Sequence, residues 1–259
     1  MRMMKKVLGT VTVLALSASL LAGCGSTAAS PVSSAASTAA ESTTSSVVSE
    51  TTSAAADENV AAAAQLLNDL TGSYQELWPV ILADEYQQTW LDDCTALVGE
   101  ENAEAAFEKL SSMVTGDVYG EDAVEAYANG GGAYFCGFTN SLATLTFDGE
   151  TSTISGTDKD GNVLFSHTYH YIGMEPVRGL YEFQSNDADS GEFTYFFLAP
   201  DTSAETYHIE FRYGSDAEAL SQYDTGEYAY WLASGISTDC DQTMIDNCIE
   251  LFCTENLAG

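Results

Sequence analysis

The chain of 259 residues is strongly acidic, with 39 Asp and Glu residues against 7 Lys and Arg residues and a net charge of −32. A negative field of this size repels nucleic acid and anionic lipid headgroups, and it concentrates cations near the protein surface. The composition therefore excludes a nucleic-acid-binding protein. The first interpretation of the negative charge is that it keeps the protein soluble, and the second is that it binds cations.

Residues 1–23 have the pattern of an export signal. A basic start precedes a mostly apolar run from Val7 to Ala22, and small residues follow it. The run is too short and too interrupted for a transmembrane helix, which needs ~20 predominantly apolar residues. The sequence LAGC, which ends at Cys24, resembles the bacterial lipobox, whose cysteine is lipidated and becomes the mature N-terminus. We therefore expect acyl chains on Cys24 to anchor the protein to the outer face of the cytoplasmic membrane.

Residues 24–56 are expected to form a lipid-anchored, disordered linker. From Gly25 to Ala56 the chain has 16 Ser or Thr and 9 Ala in 32 residues, and no aromatic residue. Such a segment cannot bury enough apolar surface to offset its ordering entropy. As a random coil it would span roughly 30 Å and hold the folded part away from the lipid.

Residues 57–259 are long enough for one domain with a sizeable core. The first part favours helices, because acidic residues precede good helix formers and apolar residues recur at helical spacing. Helices are predicted at residues 57–70, 73–90, 101–114, 121–128, 215–223 and 240–256.

Between residues 133 and 214 the pattern changes to short segments rich in Phe, Tyr, Thr, Val and Ile, separated by turn residues. Strands are predicted at residues 133–139, 142–149, 151–156, 162–173, 177–184, 192–200 and 206–214. Strands at this spacing indicate a β-sandwich or a small barrel. The segment TDKDGN, Thr157 to Asn162, is predicted to be a hairpin turn. A calcium loop is the alternative, but the spaced ligands and the closing Glu of an EF-hand are missing.

Five cysteines follow the anchor residue: Cys94, Cys136, Cys240, Cys248 and Cys253. Export makes disulfides possible, but an odd number leaves at least one thiol over, and the pairing stays open. Cys248 and Cys253 are predicted on one helix at a spacing that does not share a face, so they are not expected to pair with each other. No C-x-x-C motif occurs, which argues against a four-cysteine zinc cluster.

Motifs typical of enzymes are missing. The chain has no G-x-S-x-G, no H-E-x-x-H and no complete phosphate-binding glycine loop. Its three histidines are His167, His170 and His208, and no spacing among them and Ser or Cys suggests an acyl-transfer triad. We therefore expect a binding protein rather than an enzyme.

The segment TYHIEFRYG places His208 and Glu210 two residues apart. The alternation of side chains along a strand sends both residues to one face. Imidazole and carboxylate groups are zinc ligands, so the pair is a candidate metal site. An ion pair or a solvated strand face is the alternative.

The order of the segments resembles the ZinT (YodA) family of zinc-binding proteins. The matching segments are LNDLTGSYQELWPVI, TYHYIG, VRGLYEF, SGEFTYFFLAP, HIEFRYG and ALSQYDTGEYAYWLASGIS. The resemblance covers roughly residues 61–250. It implies an α+β fold, a lipocalin-like (calycin) antiparallel β-barrel with flanking N- and C-terminal helices.

The same resemblance implies a set of ligand positions. Members of the family hold zinc with one histidine on a strand that ends before a turn and a His-x-His pair on the next strand. On that pattern Phe196 takes the first position, His208 the second and Glu210 the third. Phe196 cannot bind metal, so zinc binding is expected to be weak, with the third ligand supplied from elsewhere. His167 is a candidate third ligand, because it shares a strand face with Tyr169 and Tyr171, which are expected to point inward. The favoured role of His167 is a half-buried strand histidine that is hydrogen-bonded to a neighbour.

Two functions are compatible with the resemblance. The first is an extracytoplasmic, monomeric lipoprotein at the cell surface that binds a divalent metal, zinc being expected, and scavenges it or delivers it to an ABC importer. The second is a non-metal module whose barrel holds a small apolar or aromatic ligand, or which docks a protein partner. Core packing is the alternative role for the aromatic residues that could line such a barrel, which are Tyr171, Tyr181, Phe183, Tyr195, Phe196 and Trp231.

Overall fold

Eight antiparallel strands form a closed barrel in sequence order. The computed structural model describes residues 47–131, 134–200 and 207–258, with side chains from Glu58 onward. Each strand pairs with its neighbour, and the last strand pairs with the first. The strands are β1 (Gly72–Glu76), β2 (Thr144–Asp148), β3 (Thr153–Thr157), β4 (Val163–Met174), β5 (Tyr181–Ser185), β6 (Tyr195–Leu198), β7 (Ile209–Gly214) and β8 (Ala233–Ser237). The predicted fold class, a lipocalin-like antiparallel barrel with flanking helices, is confirmed.

Helices precede, interrupt and follow the strands. They are α1 (Val47–Asp69), α2 (Leu77–Ile81), α3 (Gln87–Val98), α4 (Ala103–Ser112), α5 (Glu121–Ala128), α6 (Ala217–Leu220) and α7 (Gln242–Leu257). Helix α1 begins inside the segment for which a linker is expected, and the domain boundary at residue 57 stays a prediction. The expected signal peptide and the Cys24 anchor lie outside the described residues. Within the described part of the chain, no helix has the length and apolarity needed to cross a membrane.

The sequence predicts six of the eight strands and misses β1 and β8. Strand β1 lies in a segment predicted to be helical, because SYQE runs directly into the helix-forming LWPVI. Strand β8, ASGIS, consists mostly of small residues with low strand propensity. These two strands pair with each other and close the barrel. Tertiary pairing therefore outweighs local propensity at both positions.

The predicted strand at residues 133–139 is a loop that covers one end of the barrel. In its described part it forms isolated bridges instead of a ladder. The ring of Phe138 packs 5.3 Å from the ring of Phe211, and the backbone N–H of Thr139 donates to the Tyr213 hydroxyl at 2.6 Å. The loop therefore lies over the end at which β7 terminates.

Helix α1 covers the other end. Neighbouring strands alternate in direction, so β2 and β7 terminate at opposite ends of the barrel. Leu66, Leu67 and Leu70, in or just after the last turns of α1, are buried in the same cluster as the barrel interior. Gly149 follows β2 and meets this helix so closely that an added Cβ would lie 2.4 Å from the Cα of Asn68.

Substitution of Gly149 by alanine is expected to destabilise the protein by about 1–3 kcal/mol, because a backbone has to move to admit the methyl group. Gly173→Ala is the matched control, since the nearest atom to a Cβ there is 3.9 Å away. We expect this control to stay within about 0.5 kcal/mol of the parent. Urea unfolding measures both; equal midpoints for the two variants would contradict the close contact with α1.

Aromatic side chains fill the interior. The six aromatic residues that could line a binding cavity all belong to the interior cluster or pack against it. Phe196 is fully buried, and its ring centroid lies 5.4 Å from that of Tyr213 and 5.9 Å from that of Phe165. Phe183, Phe196 and Trp231 therefore form part of the core, as the core-packing interpretation expects, and the partly buried Tyr171, Tyr181 and Tyr195 pack against it.

A helical layer packs on the outer face of β1 and β8. Helices α2, α3, α4 and α7 contribute a second cluster, which also contains Ile236 of β8. In this layer the rings of Trp78 and Phe252 lie 4.8 Å apart, and Trp90 is fully buried. The layer brings α2 and α7 next to the first residues of β7.

A buried arginine holds the segment after β7 against the barrel. The guanidinium of Arg212, on the outer face of β7, donates to three backbone carbonyls, those of Leu220, Gln222 and Tyr228. It lies 4.4 Å from the ring of Tyr223, and the guanidinium of Arg178 lies 4.5 Å from the same ring. The Tyr223 hydroxyl donates to the buried carboxylate of Glu175 at 3.2 Å. We call these four side chains, Arg178, Arg212, Tyr223 and Glu175, the arginine cluster.

The hairpin turn predicted at Thr157–Asn162 is confirmed. The Asp158 carboxylate accepts hydrogen bonds from the backbone N–H groups of Asp160 and Asn162 at 2.9 and 2.8 Å. Hydrogen bonds from the side chain and backbone of Asn162 lower the pKa of Asp158. The carboxylate is thus engaged within the turn, which agrees with the interpretation as a turn rather than a calcium loop.

Candidate metal site

Glu210 lies on β7 and His208 lies in the bend directly before it, and both side chains are on the outside of the barrel. Ile209 lies between His208 and Glu210, Phe211 follows Glu210, and both apolar side chains are buried in the interior cluster. His208 Nε2 lies 3.9 Å from Glu210 Oε1, and the two side chains are 18% and 42% exposed. The pair is therefore open to solvent on one side and supported by protein on the other.

The pair opens into a small groove between β7, α2 and α7. The groove has a volume of about 70 Å³. It is lined by Leu77, Trp78, Ile81, His208, Glu210, Ser234, Cys248, Leu251, Phe252 and Glu255. The groove therefore has space for a small ion together with water.

The separation of the two donors is close to that required by zinc. Ligand atoms of a tetrahedral zinc ion lie about 2.0–2.2 Å from the metal and hence roughly 3.3 Å from each other. His208 Nε2 and Glu210 Oε1 are 3.9 Å apart, so small side-chain rotations would bring both within coordinating distance. Coordination by one imidazole and one carboxylate leaves the other positions to water, which makes binding weak.

Further potential donors come from α7, and sequence reasoning misses them. Cys248 and Glu255 line the groove beside His208 and Glu210. Their spacing of seven residues on a helix places them on one face, which is a signal in the sequence, but nothing in the sequence shows which strand that face covers. Across the described residues, no group of three or more His, Cys, Asp and Glu side chains is arranged to hold a metal. The structure thus brings two potential donors together, with other potential donors nearby.

Cys136 lies close to the pair but is a poor ligand in its protonated state. Burial, and secondarily the negative charge of Glu210, raises the pKa of the Cys136 thiol to about 12. Zinc binds the thiolate, so the metal would have to displace a proton that the site holds firmly. Cys136 is therefore not counted among the donors of the site.

The structure does not bring His167 to the pair. His167 lies in the first half of β4 and faces inward beside Phe165, with its Nδ1 2.8 Å from Asp187 Oδ2. Strands β5 and β6 separate β4 from β7 in the barrel. His167 points inward, whereas His208 and Glu210 lie on the outer face, so the three side chains do not converge on one ion. The surroundings of His167 fit its favoured role, a half-buried histidine bonded to a neighbour.

Phe196 also lies away from the pair. The ligand pattern implied by the resemblance places Phe196 with His208 and Glu210 around one metal. In the structure Phe196 points into the barrel, where its ring stacks 6.5 Å from that of Phe211. Side chains on opposite faces of a sheet cannot converge on one ion. The residue at position 196 therefore does not decide whether the pair binds metal.

A larger surface depression lies elsewhere and offers a different chemistry. It has a volume of about 560 Å³ and is lined by Tyr119, Gly120, Glu121, Asp122 and Glu227. Its donors are carboxylates without a histidine or a cysteine, and it is widely open to solvent. The groove with His208 is smaller but has the ligand types that zinc prefers.

Comparison with known proteins finds similarity among solved structures. No protein-family model and no curated protein matches the chain. The Zn(II)-bound ZinT-like domain of Streptococcus pneumoniae AdcA is 15% identical, with 71% of this chain and 89% of that chain covered and a TM-score of 0.45. Zn(II)-bound AdcA from Streptococcus pneumoniae is 13% identical, with 70% of this chain and 34% of that chain covered and a TM-score of 0.42. Because these sequence identities and TM-scores are low, the fold assignment rests on the strand order and register described above.

Proposed function

We propose that this chain binds a divalent cation, zinc being the expected ion, weakly and reversibly in the groove of His208 and Glu210. The observation that carries the proposal is the 3.9 Å approach of His208 Nε2 and Glu210 Oε1 on one solvent-accessible face. The net charge of −32 supports it, because a negative field raises the local concentration of cations. The metal is cargo in this proposal, and no catalytic role is assigned to the site.

The proposed setting is the outer face of the cytoplasmic membrane. The leader and the LAGC sequence that ends at Cys24 support export and lipid anchoring, and the resemblance to the ZinT family supports a role in scavenging zinc or delivering it to an importer. Release would follow acidification, because protons compete with the metal for imidazole and carboxylate ligands.

Calorimetric titration of the metal-free protein with Zn²⁺ tests the proposal. We expect a dissociation constant on the order of 1–100 µM, in keeping with two protein ligands and water. His208→Ala and Glu210→Gln should each weaken binding by about tenfold or more, since one of two ligands is lost. Glu255→Gln should have a smaller effect, because this residue lines the groove without joining the pair.

Two histidine variants serve as controls. His167→Ala removes the residue bonded to Asp187, and His170→Ala removes an exposed histidine on the outer face of β4. Neither variant should change zinc affinity by more than about twofold, because neither side chain reaches the groove. The absence of heat with the parent protein would refute metal binding and favour the non-metal function. Loss of binding in His167→Ala would refute the location of the site.

A further inference from the structure

Cys94 and Cys253 lie opposite each other between two packed helices. Their sulfur atoms are 3.9 Å apart, and both side chains are fully buried between α3 and α7. Among the five cysteines that the structure describes, this is the sulfur–sulfur contact that occurs, and all five are free thiols here. The contact selects one pair out of the arrangements that the sequence leaves open.

We propose that Cys94 and Cys253 form a disulfide that joins α3 to α7 in the oxidised protein. A disulfide bond is about 2.05 Å long, so the two sulfurs have to approach by about 1.9 Å, which is within the reach of side-chain rotation. The surroundings keep the two helices in place while this happens, because Trp90 of α3 packs on Phe252 of α7 with ring centroids 6.0 Å apart.

No sulfur–sulfur contact joins the other three described cysteines to this pair or to each other. Cys136 belongs to the loop over the barrel end and contacts the carbonyl of Tyr134. Cys248 lines the metal groove, and Cys240 is partly exposed in the turn before α7. These three are expected to stay reduced. The proposal therefore uses two of the five thiols and does not depend on metal binding.

The bond forms by two exchange steps with a low-molecular-weight disulfide. The thiolate of one cysteine attacks the disulfide of oxidised glutathione, which gives a mixed disulfide and one glutathione thiolate. The second cysteine thiolate then displaces the other glutathione. Two protein thiols thus lose two electrons and two protons, and one oxidant molecule becomes two thiols.

The environment of the pair indicates when the exchange takes place. Burial raises the pKa of both thiols, and the negative charge of Asp93 adds to the effect. In the folded protein both groups therefore stay protonated at neutral pH and react slowly, since the thiolate is the nucleophile. The bridge is expected to form while the chain folds, before α7 covers Cys94.

Refolding in a glutathione redox buffer tests the proposal. The full chain carrying Cys24→Ser is unfolded, refolded with oxidised and reduced glutathione, and analysed by intact mass and non-reducing peptide mapping. We expect a mass lower by two hydrogen atoms and a linked peptide that joins Cys94 to Cys253. The melting temperature should exceed that of protein refolded with reductant by roughly 4–16 °C, because the bridge closes a loop of about 160 residues.

Matched variants make the outcome decisive. In Cys253→Ala the difference in melting temperature between oxidised and reduced protein should vanish, whereas in Cys240→Ala it should persist. Alkylation of all five thiols after refolding in the redox buffer would overturn the proposal. A linked peptide that joins any other two cysteines would overturn it as well.

Discussion

Phe196→His is expected to lower the stability of the protein by about 3 kcal/mol without strengthening zinc binding. The substitution places a polar ring among stacked aromatic side chains in a closed interior, where it loses packing and lacks a hydrogen-bond partner. The new imidazole would face away from His208 and Glu210, so it could not join their ion. Urea unfolding and zinc calorimetry on the same variant measure the two effects.

Ser234→His is the informative comparison for this prediction. Ser234 pairs with Glu210 across β7 and β8 on the outer face and lines the groove. Cross-strand neighbours have Cβ atoms about 4.5–5.5 Å apart, so a histidine there can reach the ion. We expect it to tighten zinc binding by about tenfold or more, because a third protein ligand replaces water. Tighter binding in Phe196→His and not in Ser234→His would refute the outward orientation of the pair.

Arg212→Ala is expected to destabilise the protein by about 3–5 kcal/mol. The residue is fully buried, and its loss leaves three backbone carbonyls without their donor and Tyr223 without its cation. Arg212→Lys should recover part of this loss, since an ammonium group keeps the charge but lacks the planar fork that reaches three acceptors. Urea unfolding followed by circular dichroism measures both variants.

Lys159→Ala is the control for the arginine prediction. Lys159 is exposed and contacts the neighbouring Asp160 at 2.9 Å. Exposed ion pairs contribute little, so this variant should stay within about 0.5 kcal/mol of the parent. If Arg212→Ala were as stable as Lys159→Ala, the arginine cluster would have no role in holding the segment after β7.

The strands with strong alternation could be predicted from sequence, and the strands that close the barrel could not. Strand β4 has Phe165, His167 and Tyr169 on one face, and this period of two is visible without a partner. Strands β1 and β8 have no such period, and they become strands only because each supplies the other with hydrogen bonds. Local sequence contains no information about a partner more than 150 residues away.

The candidate site was predictable in its pair but not in its surroundings. The spacing of His208 and Glu210 predicts that they share a face, and in the structure the two side chains approach each other to 3.9 Å. Which face of a strand points inward depends on the whole barrel. A metal site made of the Phe196, His208 and His167 positions requires all three side chains to point to the same side of the sheet, and the sequence alone does not show this. The contribution of α7 to the groove is a property of helix packing, which the order of residues does not reveal.

The arginine cluster also affects the charge that the protein surface presents to ions in solution. Only Lys109, Lys159, Arg178 and Arg212 follow Cys24 as basic residues, and the cluster holds two of them against Tyr223. The remaining two lysines are exposed among the 39 acidic residues. The rate at which a divalent cation arrives is therefore governed by salt: the screening length is about 30 Å at 0.01 M ionic strength and about 8 Å at 0.15 M, so capture is fastest in dilute media.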